Sequence, residues 1–183
     1  YDCYHQVALS FAQIAHRHFP AAKAPTVCNR LGKLRREGML LKTHVGLVLY
    51  RGDPKAIGTV YQVSRKAIQF LESQLPEERF RGEAPRIHPT TLAHDLLLTD
   101  VMTALRKRLP ERKVLHGRVI ENPSASRQRC PDAVILNPLG KTAVAVELEL
   151  TGKSERRYRE IILQYRLLKE YQAVLYVVGS HSI

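Results

Sequence analysis

The sequence predicts an α+β chain in two parts, and three observations carry that expectation. Residues 1–74 read as helix, helix, hairpin and helix; residues 90–183 read as helix, three strands, helix and strand. A formal net charge of +12 runs through both parts. Three acids, Asp132, Glu147 and Glu149, stand in or beside strands that are otherwise apolar enough to be buried.

At 183 residues the chain can bury a real core, as one large domain or two small ones. With 44% hydrophobic and 25% charged residues it has the balance of a soluble globular protein. No run is long and apolar enough to span a membrane and no signal peptide is visible, so a cytoplasmic protein with no membrane partner is expected. Cys3, Cys28 and Cys130 are odd in number and far apart, which fits reduced thiols and gives no zinc-ligand spacing. The chain opens on Tyr1 rather than Met and stops just after a strand-like run, so elements are expected beyond both ends. The charge narrows the partner. Residues 1–88 hold 14 basic and 7 acidic residues, and residues 89–183 hold 15 and 10, so neither half is a basic tail on a neutral body. A pI near 9.9 distributed in this way suits a protein that meets a polyanion, of which nucleic acid is the commonest.

In the first part, Ser10-Phe-Ala-Gln13 has capping-box spacing, and Phe11, Ile14 and Ala15 fall on one face of a short helix that Pro20 stops. Thr26 is expected to cap a second helix, with Val27, Leu31 and Leu34 as its buried stripe and Gly38 ending it in a left-handed conformation. The other side of that helix carries Asn29, Arg30, Lys33 and Arg36, all hydrogen-bond donors. Residues 45–50 and 59–63 then read as two strands, with the Gly/Asp/Pro stretch 51–58 as their turn and Arg51 and Lys55 at its tip. A helix over 65–74 closes the unit. This is the pattern of a winged helix-turn-helix, whose second helix reads a DNA major groove and whose hairpin touches phosphate. The bland alternative is a helix-turn-helix used only for protein contacts. Residues 75–89 hold three prolines and no periodicity, and read as a linker.

In the second part, Thr90 or Thr91 can cap a helix lined by Leu98, Val101, Leu105 and Leu109, with His94 at its start. Strands are expected over 113–121, 130–136 and 142–150, a helix over 154–170 with Ile161, Ile162, Tyr165 and Leu168 inward, and a central strand over 173–178. Along 142–150, period two puts Val144, Val146 and Leu148 on one face and Ala145, Glu147 and Glu149 on the other. The alanines leave room above the sheet for the glutamates, and Asp132 can reach the same space. Converging carboxylates repel unless a cation lies between them, and all-oxygen donors suit Mg²⁺ or Mn²⁺, which can polarise a phosphodiester and activate water. Lys153 follows closely enough to stabilise developing negative charge. The alternative is a set of surface acids paired with Arg156, Arg157 and Arg159.

Pro131-Asp132 followed by Glu147-x-Glu149 in this element order resembles the PD-(D/E)xK restriction-endonuclease-like fold. With the winged helix ahead of it, the His94 helix and Val146-Glu-Leu-Glu-Leu-Thr-Gly-Lys-Ser-Glu-Arg-Arg-Tyr158, nearly the whole chain resembles the replication-relaxation family of plasmid and conjugative-element proteins, which includes MobC-class mobilisation relaxases. The resemblance implies metal-dependent nicking of double-stranded origin DNA within a relaxosome. It makes Asp132 and Glu147 metal ligands and Glu149 a ligand or base, with His94 where the fold often supplies another site residue. One departure stands out: Glu149 occupies the motif's lysine position, so Lys153 must supply the positive charge.

A relaxase of the His-hydrophobe-His kind is excluded, because His16-Arg17-His18 has an arginine in the middle and lies on a predicted helix. Tyr158 and Tyr165 lie seven residues apart on one helix, which points to core packing rather than to a covalent nucleophile. Two readings remain: a metal-dependent nickase, or a non-catalytic accessory protein that binds origin DNA and recruits a relaxosome or replication partner. A plain transcriptional regulator leaves the second part without a role.

Overall fold

A computed structural model describes residues 2–50, 53–77, 86–120, 130–139, 142–168 and 170–179. It is a mixed α+β chain that divides into two compact units, Tyr1–Thr99 and Asp100–Ile183.

The first unit begins with a single helical turn, α1 (Asp2–His5), and a two-residue strand, β1 (Leu9–Ser10). Helices α2 (Phe11–His18) and α3 (Ala24–Arg36) follow, then the hairpin β2 (Leu40–Tyr50) and β3 (Asp53–Val63), and α4 (Arg65–Gln74). Ser10 caps α2 as its spacing predicts. The Ser10 hydroxyl accepts from the Gln13 amide at 3.2 Å, and the Ser10 amide donates to Gln13 Oε1 at 3.0 Å. Thr26 does not cap α3. Lys23 takes that position and Pro25 fills the first turn, where a missing N–H costs nothing. Gly38 ends α3 with φ +73°, the left-handed conformation expected of it.

The hairpin is longer than the sequence suggests, because β3 starts at Asp53 rather than near Thr59. Its register runs from Leu40 opposite Val63 to Tyr50 opposite Asp53. Pro54 is tolerated because β1 pairs with β3 only at Val60 and Tyr61, so the other edge of β3 near Pro54 has no β1 neighbour. Gly58 takes φ +75° inside the ladder, a conformation open to glycine, whereas the Gly/Asp/Pro composition of 51–58 had read as a turn. The sheet order is β1-β3-β2. One core cluster joins Leu9, Ile14, Val27, Leu31 and Tyr61, and each fully buried aliphatic side chain there contributes about 1.5–3 kcal/mol.

Helix α5 (Pro89–Arg108) begins in the first unit and ends in the second. It starts at Pro89, so Thr90 and Thr91 lie inside its first turn instead of capping it. Within the first unit, Leu92 packs with Ala8 and Val60, and Gln13 Nε2 donates to the Leu96 carbonyl at 2.7 Å.

In the second unit, β4 (Lys113–His116), β5 (Ala133–Leu136), β6 (Thr142–Glu149), α6 (Glu155–Leu167) and β7 (Ala173–Val178) come after α5. The sheet order is β4-β5-β6-β7, antiparallel except for the parallel β6–β7 pair. Two expectations are corrected here. Strand β7 lies at the edge, not the centre, although it is apolar throughout; β6 is flanked by β5 and β7. Strand β4 ends at His116, where a 3-10 turn over Gly117–Val119 begins. A Cβ at Gly117 would stand 1.8 Å from the Pro131 carbonyl oxygen, so only glycine allows this backbone crossing. The Gly117 amide donates to the Asp132 carbonyl at 2.8 Å, which fixes the backbone just ahead of β5.

Candidate functional site

Helix α3 carries the first candidate surface. Val27 and Leu31 are buried, while Asn29, Lys33 and Arg36 are exposed on the other side of the helix and Arg30 is exposed at the flank of the buried stripe. Lys33 makes one surface pair with Glu37 at 3.9 Å, an interaction worth less than about 1 kcal/mol that does not hold it from a ligand. Arg51 lies outside the described residues. The backbone of Lys55 is in β3 opposite Val48, so it belongs to the strand and not to the hairpin tip.

The second candidate is built on β6. Alternation turns Ala145, Glu147 and Glu149 toward α6, and Ala145 packs in one cluster with Ile161, Tyr165 and Leu168. The space expected above the alanines is therefore filled by α6. Glu147 and Glu149 are both only 6% exposed, which is costly for a carboxylate unless it is paired. Each has found a partner. The Tyr165 hydroxyl donates a close hydrogen bond to Glu147 Oε1, and Lys153 forms a close ion pair with Glu149 Oε2. Glu149 Oε1 also accepts from the Thr151 amide at 3.3 Å. Asp132, half-buried ahead of β5, accepts from the Leu148 amide at 2.7 Å through Oδ2.

Tyrosines surround these acids. Tyr158 meets Tyr176 edge to face at 6.3 Å, Tyr165 meets Tyr171 at 5.6 Å, and the Lys153 amide donates to the Tyr158 hydroxyl at 3.3 Å. Burial pushes the Tyr171 hydroxyl up from its usual value near 10.0, and the negative fields of Glu170, Cys130 and Glu147 push it the same way. Tyr165 packs in the core as expected, and its bond to Glu147 is the contact that sequence reasoning missed. It is buried, as core packing requires, yet its hydroxyl is spent on Glu147. The signal was available in principle, since a buried phenol must find an acceptor. Ile162, expected inward, is half exposed.

The donor chemistry here is all oxygen, as Mg²⁺ or Mn²⁺ prefers. The arrangement does not fit a resident ion, however. Every acid already has a protein partner, and among the described residues no three His, Cys, Asp or Glu side chains gather closely enough to hold one. Lys153 supplies the positive charge that Glu149 requires. His94 lies on α5 in the first unit, with Nδ1 3.8 Å from Asp95 Oδ1.

A basic helix-and-hairpin unit followed by a sheet unit with buried acids is the class of chain defined by these observations. The replication-relaxation family matches residues 4–174, and the chain belongs to that family, which points to a role in the replication or relaxation of plasmids. No curated protein and no solved structure matches it. Among the described residues no helix is long and apolar enough to cross a membrane.

Proposed function

We propose that the chain binds double-stranded DNA at the origin of a plasmid or conjugative element, as a relaxosome or replication accessory protein. Its first unit acts as a winged helix-turn-helix, with α3 entering the major groove and the β2–β3 hairpin as the wing. Its second unit is a restriction-endonuclease-like scaffold. The observation that carries this reading is the exposed set of donors Asn29, Lys33 and Arg36, with Arg30 at their flank, on a helix whose opposite face is pinned in the core. Donors so arranged can meet base edges and phosphates together, and the net charge of +12 attracts the polyanion.

A second reading, a metal-dependent nickase of the MobC class, is favoured by one observation. Lys153 reaches Glu149 on a strand that also carries the buried Glu147, so the charge missing from the motif position is supplied four residues later. In that reading Asp132 and Glu147 would hold Mg²⁺ or Mn²⁺, and Tyr165 would have to release Glu147 to admit it.

One experiment separates the two. Supercoiled plasmid carrying the element's own origin is incubated with the protein and Mg²⁺ or Mn²⁺, with EDTA and Glu147→Ala as controls, beside a gel shift on the same origin. A gel shift without cutting is expected of the accessory protein. Open circles that require both metal and Glu147 would make it a nickase, and no preference for the origin duplex would remove both readings.

A further inference from the structure

Gly32 stands inside α3, well ahead of Gly38, which ends the helix. Glycine is the poorest helix former after proline, because it loses the most backbone entropy and exposes the backbone to water. Nothing in the fold asks for it at this position. Among the described glycines only Gly38 and Gly58 have positive φ, so Gly32 is not held in a left-handed conformation. Apart from its own helix backbone and chain neighbours, a Cβ there would meet one atom, Nη1 of Arg36, at 3.6 Å. That is ordinary contact with the end of a flexible side chain. Alanine would fit and would hold the helix better. A bare helix backbone that packing does not require is what a closely approaching ligand requires.

The surroundings indicate which ligand. On a helix surface the neighbours of a residue are those three and four positions away. For Gly32 these are Cys28 and Asn29 toward the N-terminus and Arg35 and Arg36 toward the C-terminus, and all four are exposed. They form a notch with short side chains at one end, bare backbone as its floor and two guanidinium groups at the other end. The Cα–Cβ bonds of a helix tilt toward its N-terminus, which carries both arginines toward Gly32, and Arg36 Nη1 stands beside it. Among the described residues neither arginine has a carboxylate partner, whereas Arg156 pairs with Glu160 and Arg159 with Glu155 on α6. Glu37, the acid nearest to them in sequence, pairs with Lys33. Uncommitted guanidinium groups beside a cleared floor suit a phosphate, whose oxygens accept their N–H groups two at a time.

We propose that Gly32 is where a DNA strand comes closest to α3, with a phosphodiester seated over the glycine against Arg35 and Arg36. Such a seat exists only if α3 meets DNA, so it rests on that reading, and it adds to it a steric requirement and a cation, Arg35, that the donor row does not supply. The test uses the whole chain and a fluorescein-labelled duplex from the origin, followed by anisotropy at several salt concentrations. Gly32→Ala and Gly32→Leu fill the notch; Arg35→Gln and Arg36→Gln remove its cations.

Gly32→Ala raises Tm by about 2–4 °C, as a better helix former should, yet binds DNA severalfold more weakly. Gly32→Leu weakens binding by roughly tenfold or more. Each arginine variant lowers the slope of log K against log salt by about 1, and Gly32→Leu lowers it too, because the phosphate no longer reaches the guanidinium groups. A rise in stability with a fall in affinity is an outcome that a structural glycine cannot give. A lowered Tm in Gly32→Ala overturns the proposal, because the fold then needs the glycine. Unchanged affinity in both Gly32 variants overturns it and leaves the DNA reading intact if Lys33→Ala still weakens binding. Relaxed sequence preference with an unchanged slope in Arg35→Gln and Arg36→Gln overturns it too, since a base edge then occupies the notch. If the wild-type chain binds no duplex, the DNA reading itself fails and the seat with it.

Discussion

The hydroxyl of Tyr165 on α6 donates to the carboxylate of Glu147 on β6, and both side chains are buried. A phenol and an acid that would each be costly alone are satisfied together, and the bond ties the helix to the middle of the sheet. Tyr165→Phe keeps the ring and its packing but removes the hydroxyl donor from the buried carboxylate. It should destabilise the second unit by about 1–3 kcal/mol in urea unfolding. Glu147→Gln keeps an acceptor for the hydroxyl and should cost less than Glu147→Ala.

Asp132 acts on the backbone of the neighbouring strand, through the amide of Leu148. Asp132→Asn retains an acceptor oxygen and should unfold close to wild type. Asp132→Ala leaves that amide without its acceptor and should cost about 1 kcal/mol or more. Equal stability of the two variants would mean that water replaces the side chain at no cost.

Gly117 allows β4 to cross the backbone at Pro131, with no room for a Cβ 1.8 Å from a carbonyl oxygen. Gly117→Ala must move backbone, not a flexible side chain. The expected loss is at the upper end of the roughly 1–3 kcal/mol range for overpacking, or beyond it. Thermal melts of the variant check this, and an unchanged Tm would contradict the crossing.

The donor row of α3 makes a prediction in salt. Arg30→Ala and Lys33→Ala should each weaken DNA binding and reduce the slope of log K against log salt by about 1 if the side chain meets phosphate. A side chain that reads a base edge should instead relax sequence preference and leave the slope nearly unchanged. Anisotropy titrations at several salt concentrations distinguish these outcomes, and neither variant should alter Tm.

Tyr171 gives a pH signature. Its folded pKa is raised above 10.0, first by burial, so the folded state favours the protonated phenol. Its contribution to stability is fully present below pH 10.0 and is lost as pH rises toward the folded value. Tyr171→Phe has no proton to lose and should show a smaller decline in Tm between about pH 9 and 11. Absorbance of tyrosinate should show one late-titrating group in wild type that the variant lacks.

Much of the secondary structure was legible because local chemistry dictates it. The Ser10–Gln13 capping box, the left-handed Gly38 and the alternation of β6 all appear as their residues require. The misreadings arose where distant partners decide. Pro54 and Gly58 look like turn residues, yet pairing with β2 holds both in a strand. Strand β7 looks central by composition, but its place in the sheet is set by the side of β6 on which the chain returns from α6, and no local pattern encodes that. For the acids, spacing revealed their shared face but not their occupants. That Tyr165 and Lys153 would claim them depends on where α6 and the 150–154 segment fold back, which lies outside any single periodicity.

Ser10 has a consequence for how the first unit meets any ligand. The residue pairs with Val60 as the end of β1 and caps α2 at the same time, so no joint separates strand from helix. Helix α2 cannot swivel against the hairpin without breaking either the ladder or the cap. Helix and hairpin therefore arrive at a binding partner as one stiff body, and the freedom lost on association falls mainly on side chains. Recognition by such a surface is closer to lock and key than to folding on contact.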